Sequence, residues 1–331
     1  MAARSLAAFL LCAGYGRRLL PLTERIAKPA IPFLGQSALE RSRRAIETLS
    51  PQRWLVNTHH LPEQIGFLAK KLDLEVLHEP EILGTGGCIA NAASILQGYD
   101  AFLIHNADLI HTFDLKALWA SHLSSGAVAT LAGIHRPPLN TLSVDAAGRL
   151  LGVHGYQGYR ADPALNQQSN LESTRLTFAG VAFYQREFLG FLSPGCEDIK
   201  HYWMRALNAG DRIQVVDCSE AAWHDFGTPQ SLWEAARFVM DSAGEFNYNY
   251  PSPRDSRAYV SNEVSNEIST EISNEAGEKD LPEDLRNVLL YEKTKTPIPK
   301  GTHNRILGKD FEWEIAGEIM GEITGEASPN V

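Results

Sequence analysis

Residues 10–32 read LLCAGYGRRLLPLTERIAKPAIP, and they close an apolar run that begins at Leu6, Ala7, Ala8 and Phe9. The run breaks at Gly14 and Gly16 and then presents Arg18 and Lys28 among polar and proline residues. This pattern reads as a buried strand emptying into a loop suited to anions. Glycines remove the Cβ atoms that would keep a phosphate from the backbone, and successive N–H groups in such a turn form a concave donor nest. Arg18 can grip phosphate oxygens in bidentate fashion, while Lys28 is a movable point charge. Two glycines after a strand can equally be a tight turn. No third glycine follows at dinucleotide-binding spacing, and no Gly-x4-Gly-Lys-Ser/Thr loop occurs in the chain.

The fuller pattern runs from Gly14, Gly16, Arg18 and Leu19 through Pro21, Leu22 and Thr23 to Lys28 and Pro29. It resembles the signature of the sugar-1-phosphate nucleotidyltransferases, which make NDP-sugars from an NTP and a sugar phosphate. The resemblance extends over residues 6–240 and implies that Cys12, Ala13, Gly14 and Gly16 touch the nucleotide. It further implies catalytic roles for Arg18, toward the departing pyrophosphate, and Lys28, near the α-phosphate.

Alternating strand and helix patterns follow the loop. Helical character spans residues 37–49 and 62–72, with strands at 54–57 and 74–77. This alternation predicts an α/β fold with a mostly parallel sheet flanked by helices, whose ligands gather beyond the strand ends, and the family resemblance implies that it is Rossmann-like and of GT-A type. Glu79 to Gly87 (EPEILGTGG) then lead into an expected helix over 88–96. Those glycines either let a flat base lie on the backbone or simply turn the chain. The segment resembles the Leu-Gly-Thr-Gly-Gly with which the family holds the nucleobase, which implies base contact by Gly86 and Gly87.

A strand over 101–104 ends in His105, Asn106, Ala107 and Asp108. A carboxylate there suits Mg2+ or caps the following turn, and spacing leaves both open. In the family the motif usually reads Asn-Gly-Asp and its Asp holds the metal; Ala107 departs from it. Further on come a helix over 115–123, a strand over 127–133, a hairpin from 142–144 and 150–153, and a polar loop over 155–173. The family's Glu-Lys-Pro for the sugar phosphate is not found, and residues 177–181 resemble its Phe-x-Gly segment, which implies a substrate contact at Gly180. A helix over 199–208 and a strand over 212–216 lead to Trp223, Asp225, Gly227, Thr228 and Pro229. That run reads as a strand end capping a helix over 229–240. It also matches the family's Trp-x-Asp-x-Gly-Thr-Pro, which makes Asp225 the second metal carboxylate beside Asp108 and Mg2+ the implied cofactor. His59, His60, His105, His111 and His224 show no zinc-type spacing and suit loop or packing roles.

The organisation expected is a catalytic domain over 1–243, an acidic low-complexity linker over 244–280, and a short β-rich segment over 281–331. The linker holds the repeated tetrads SNEV, SNEI, STEI and SNEA, too polar to offset the entropy of ordering. The final segment weakly resembles one or two rungs of a hexapeptide β-helix and could dock on the catalytic domain or serve a homo-oligomer. A formal charge of −10 argues against nucleic-acid binding, and no apolar run reaches the ~20 residues of a membrane span. The start, Arg4 then SLAAFLLC, imitates a lipoprotein signal, but Leu11 before the cysteine is not small and cleavage would remove the first strand. Cys12, Cys88, Cys196 and Cys218 lack metal pairing and are expected as reduced, mostly buried thiols of a cytoplasmic protein. Two other readings share the fold: a catalytically silent, NDP-sugar-binding regulatory homologue, and a GT-A glycosyltransferase, for which Asn106-Ala-Asp108 is half of the usual Asp-x-Asp.

Overall fold

The computed structural model describes residues 4–33, 36–156, 174–195 and 197–241, with short strands at 259–260, 286–290, 303–308 and 311–314. The chain divides into two compact units, Met1–Thr228 and Pro229–Val331. In the first unit the strands are β1 (Leu6–Leu11), β2 (Pro32–Phe33), β3 (Gln36–Ser37), β4 (Arg53–Thr58), β5 (Glu75–His78), β6 (Ala101–Asn106) and β7 (Leu109–His111). They continue with β8 (Ala129–Ile134), β9 (Leu142–Val144), β10 (Leu150–Val153), β11 (Thr174–Gln185), β12 (Ile213–Asp217) and β13 (Trp223–Asp225). The helices are α1 (Ala38–Glu47), α2 (Pro62–Lys71), α3 (Gly84–Asn91), α4 (Ala93–Leu96), α5 (Leu115–Ser125) and α6 (Ile199–Asn208).

The main sheet has nine strands among the described residues, ordered β10-β9-β11-β6-β1-β4-β5, with β8 pairing β11 and β12 beside that path. The pairs β1–β4, β1–β6, β4–β5 and β8–β12 are parallel, whereas β11 runs antiparallel to β6, β8 and β9. Strand β1 is central and has no polar face, as a parallel strand covered on both sides requires. Its alternate residues divide between two cores. Ala7 and Phe9 join Phe102, Ile104, Leu131 and Trp203 on one side, and Leu6, Ala8, Leu10 and Cys12 join Val56, Leu103, Val181 and Phe183 on the other. The α/β, mostly parallel, Rossmann-like expectation therefore holds.

Three local readings change. The helix expected over 88–96 starts earlier, at Gly84, and is interrupted at Ala92, so Gly84-Thr-Gly-Gly is helix and not loop. The stretch expected only as a Phe-x-Gly segment is part of the twelve-residue β11, whose register against β8 shifts between Phe178 and Ala182, around Gly180 at φ 80°. Tyr259–Val260, inside the expected linker, forms a strand. The 142–153 hairpin is present as the antiparallel pair β9–β10. Residues 157–173 and nearly all of the linker lie outside the described residues, as does Cys196.

The second unit contains α7 (Pro229–Asp241) and four strands: β14 (Tyr259–Val260), β15 (Arg286–Leu290), β16 (His303–Gly308) and β17 (Phe311–Glu314). Its first two pairings are parallel and the last is antiparallel. Among the described residues no helix is long and apolar enough to cross a membrane.

Candidate active site

The loop after β1 is built around a backbone that no side chain may crowd. Gly16 takes the left-handed conformation, φ 64° and ψ 28°. A Cβ at this position would stand 2.8 Å from Thr23 Cγ2 and 3.3 Å from Lys28 Cβ. Buried Thr23 donates its hydroxyl to the Gly16 carbonyl at 2.9 Å, and the Leu19 amide donates to the same oxygen at 2.8 Å. The N–H groups of Ala13, Gly14, Tyr15 and Gly16 donate to no other described residue. Such a turn is an open donor nest for an anion. The Cys12 amide is different, because Asn57 Oδ1 accepts it at 2.6 Å.

Two carboxylates converge on this loop from distant segments. The Ala107 amide donates to the Leu11 carbonyl at 3.2 Å, which fixes the turn after β6 to the end of β1. Ala107 is fully buried in the second core, so its methyl group fills apolar space. Strand β13 pairs antiparallel with β7, placing Asp225 opposite Leu109, and the Phe226 amide donates to the Asp108 carbonyl at 3.0 Å. Lys28 Nζ donates to Asp108 Oδ2. Arg18 Nη2 lies 3.9 Å from Asp225 Oδ2, and a Cβ on Gly227 would fall 2.5 Å from that oxygen and 2.7 Å from the guanidinium. Gly14, Gly16, Arg17, Arg18, Lys28, Asp108 and Gly227 all line one cavity of about 380 Å³.

Asp108 and Asp225 are hard oxygen donors held by one two-stranded ladder. Among the described residues no group of three His, Cys, Asp or Glu side chains could hold a metal unaided. Two carboxylates without a third protein ligand fit Mg2+, which binds through one or two carboxylates and takes its other ligands from phosphates and water.

Behind Asp108, buried His105 and half-buried His111 brace the turn. The Phe113 amide donates to His111 Nδ1 at 3.1 Å, the two Nε2 atoms of His105 and His111 are 2.9 Å apart, and His105 Nδ1 lies 2.7 Å from the Asn106 carbonyl. One neutral assignment satisfies all three contacts: His111 Nε2–H donates to His105 Nε2, and His105 Nδ1–H donates to Asn106. Burial pushes the His105 pKa down to about 4, against the opposing influence of the Asn106 carbonyl and the Asp108 charge. Burial likewise lowers His111, helped by His105. The Cys12 and Cys88 thiols line the cavity, and burial raises both, with the charges of Asp108 and Glu79 adding to it. Both are free, as is half-buried Cys218.

Cys12, Ala13, Gly14, Gly16, Arg18, Lys28 and Asp108 thus share the cavity, with Asp225 held against Arg18 at its edge. Gly86, Gly87 and Gly180 do not line it. Gly86 and Gly87 face the other way: a Cβ on Gly86 would stand 2.5 Å from the Tyr202 ring, and one on Gly87 would strike the Gly195 carbonyl. Both amides donate to the Glu197 carbonyl. Gly180 leaves room for the Asn106 side chain, 2.8 Å from where its Cβ would be. From the glycine-rich segment it is Gly84, Thr85 and Cys88 that reach the cavity. Arg17, Asn57, Glu79 and Asn106 also line it, although the sequence assigned none of them a site role. A buried-looking Asn in β4 and a Glu directly after β5 were the available signals.

Residues 7–140 match the family described as "Nucleotidyl transferase". The chain is 33% identical over 267 residues to the "Bifunctional protein GlmU" of Methanocaldococcus jannaschii, covering 78% of this chain and 59% of that one. It is 27% identical over 260 residues to the "Mannose-1-phosphate guanylyltransferase" of Mycobacterium tuberculosis, covering 76% of this chain and 68% of the relative. Among solved structures, HddC from Yersinia pseudotuberculosis complexed with GMP-PN superimposes with a TM-score of 0.56 at 18% identity, over 70% of this chain and 99% of its own. That likeness is one of fold. This chain thus spans little more than half of the GlmU relative, and it is over residues 7–140 that it matches the nucleotidyl transferase family.

Proposed function

We propose that the protein transfers a nucleotidyl group from an NTP to a sugar-1-phosphate, with Mg2+, giving an NDP-sugar and pyrophosphate. The observation that carries this reading is the convergence of Arg18, Lys28 and Asp108 on one cavity beside an open nest of backbone amides, with Asp225 against Arg18. The reaction needs no protein nucleophile, because a phosphate oxygen of the acceptor attacks the α-phosphorus in line. What it does need is a way to hold two polyanions together, since like charges ~4 Å apart repel by several kcal/mol at protein-like dielectric.

The amides of Ala13 to Gly16 receive the triphosphate. Arg18 orients the pyrophosphate that leaves, and Lys28 neutralises charge at the α-phosphate. Asp108 and Asp225 would hold Mg2+, which supplies Lewis-acid stabilisation of the phosphate oxygens. Lys28 is paired with Asp108, and Arg18 lies against Asp225. With substrate bound, Lys28 and Arg18 would turn to phosphate oxygens and leave Asp108 and Asp225 to hold the metal. The charge is arranged before the reactants arrive, which is what electrostatic catalysis requires.

Pyrophosphate release across NTPs and aldose-1-phosphates, with and without Mg2+, tests the reading. Asp108→Asn is expected to lower turnover by roughly two to three orders of magnitude while the melting temperature stays near wild type. Wild-type turnover in that variant would remove the metal assignment.

A further inference from the structure

Among the described residues three cations line the cavity, and two of them, Lys28 and Arg18, lie against carboxylates. The third, Arg17, opens the 3-10 turn Arg17–Leu19 and is exposed. Its guanidinium makes no hydrogen bond or ion pair with a described residue; it stands 5.0 Å from the centroid of the Tyr15 ring. Tyr15 lies between Gly14 and Gly16 and is 41% exposed, so nothing in the core fixes it. Two histidines after β4 hold it instead. Its hydroxyl is 3.0 Å from His59 Nε2, and its ring meets that imidazole edge to face with centroids 5.3 Å apart. His59 Nδ1 is 2.9 Å from the Glu79 carbonyl, which only accepts, so in neutral His59 Nδ1 carries the proton and Nε2 accepts the phenol. The His60 ring also packs on Tyr15, and its Nε2 lies 2.6 Å from the Thr23 carbonyl.

A merely solvated arginine needs no such platform. The ring face attracts the guanidinium, while its N–H donors lie in the guanidinium plane and stay free. A contact of this kind at an exposed position is weak, so it orients Arg17 without competing with an anion, unlike the carboxylates that face Lys28 and Arg18. The loop runs from buried Cys12 and Ala13 to exposed Arg17, past the open amides of Ala13 to Gly16. Lys28, whose side chain is only 14% exposed, marks the deep end of the site. A triphosphate with its α-phosphate at Lys28 and its chain along the amides therefore brings its last phosphate to the exposed end. That terminal group carries the most charge and offers two free oxygens side by side, which is what a planar fork of donors binds best.

We propose that Arg17 binds the γ-phosphate of the donor nucleotide and that Tyr15, tied to His59, is the residue that positions it. The assignment rests on the nucleotidyl-transfer reading for the identity of the ligand, and it makes the site discriminate a triphosphate from a diphosphate.

Isothermal titration calorimetry of the full chain with GTP, UTP, ATP and CTP and with the corresponding diphosphates, in Mg2+, tests it on each pair that binds. Wild type is expected to bind the triphosphate at least about tenfold tighter than its diphosphate. Arg17→Ala should weaken the triphosphate about tenfold and the diphosphate less than about twofold. Tyr15→Leu keeps bulk but removes the ring face and the hydroxyl. It should weaken the triphosphate about threefold in wild type and not at all in Arg17→Ala, as expected of a residue that acts through another. Equal wild-type affinity for triphosphate and diphosphate, no weakening or an equal weakening of both in folded Arg17→Ala, or a Tyr15→Leu effect that is the same in both backgrounds would each overturn the proposal. The two readings fail separately. Loss of the triphosphate preference in Arg17→Ala, in a protein that releases pyrophosphate with no sugar phosphate, removes nucleotidyl transfer and keeps the Arg17 assignment. Pyrophosphate release with an NTP KM unchanged by Arg17→Ala does the reverse, and binding of none of the nucleotides removes both.

Discussion

Glycines at the two ends of the site differ in what a methyl group would displace. At Gly16 the intruding Cβ meets Thr23 and Lys28 close to their backbones, and the residue holds a positive φ. Thr23 is fully buried and cannot swing away. Gly16→Ala should therefore cost about 1 kcal/mol or more in backbone strain and weaken NTP binding about tenfold, read from thermal unfolding and calorimetry together. At Gly227 the Cβ meets only the flexible ends of Asp225 and Arg18. Gly227→Ala should leave the melting temperature within a degree or two and lower turnover instead, since it separates two charged groups that must act in place. A Gly227→Ala enzyme with normal turnover would mean that the Arg18–Asp225 pair is incidental. Residue spacing in the sequence could identify both glycines as special. It could not tell that Gly86 and Gly87 are small because Tyr202 and the Gly195 carbonyl press on them, since those partners come from a segment more than a hundred residues away.

Among the elements, α1 shows how the loop's far side is secured. Ser37 caps it, accepting from the Glu40 amide at 3.2 Å, while Glu40 Oε2 accepts the Ser37 amide at 2.7 Å. Glu40 Oε1 also takes Lys71 Nζ of α2 at 2.9 Å. Ser37→Ala is expected to cost about 1 kcal/mol of stability in urea unfolding, without changing the NTP affinity. A loss of nucleotide binding in proportion would instead tie the cap to the site. The elements readable in advance were those whose hydrophobic pattern is unbroken, such as β1 and α6. Strand β11 was not, because Gly180 at φ 80° interrupts its alternation and shifts its register, so its twelve residues look like two fragments. The α3 start was missed for a related reason: a Gly-Thr-Gly-Gly run has poor helix propensity, and its helix is supported by tertiary contacts to Gly195 and Glu197. The approach of the Asp225 strand end to the Asp108 turn rests on β7 and β13, three residues each, too short to carry a periodicity.

The first unit buries His105 and His122 fully and His111 in part, and their summed protonation sets how it responds to acid. His122 of α5 is fully buried between Trp119 and Phe183, with Nδ1 2.9 Å from Thr130 Oγ1 and no partner for Nε2. Burial, assisted by the Arg4 charge, lowers its pKa to about 4. His105 is lowered equally and His111 also falls well below its ordinary value. An unfolded histidine titrates near 6.5, so as pH falls from about 6.5 to 4 the unfolded chain takes up protons that the folded chain refuses. Stability is therefore full above pH 6.5, declines across that window, and stops declining through these groups below their folded values. One histidine shifted as far as His122 accounts for on the order of 3 kcal/mol between the two limits. Carboxylates act only at lower pH. Burial pushes the Glu40 carboxyl up, but hydrogen bonds from Ser37 and Lys71 outweigh it, and Arg149 does the same for Asp145. Their contribution is present above the ordinary carboxyl range and is lost as pH drops through their lowered values. Urea midpoints should thus fall already between pH 6.5 and 4.5, before carboxylates protonate. His122→Phe keeps the stacking and removes the titration, so its midpoint should vary visibly less across that interval than wild type. An identical slope in the two proteins would mean that His122 is protonated inside the fold, against the apolar contacts that surround it.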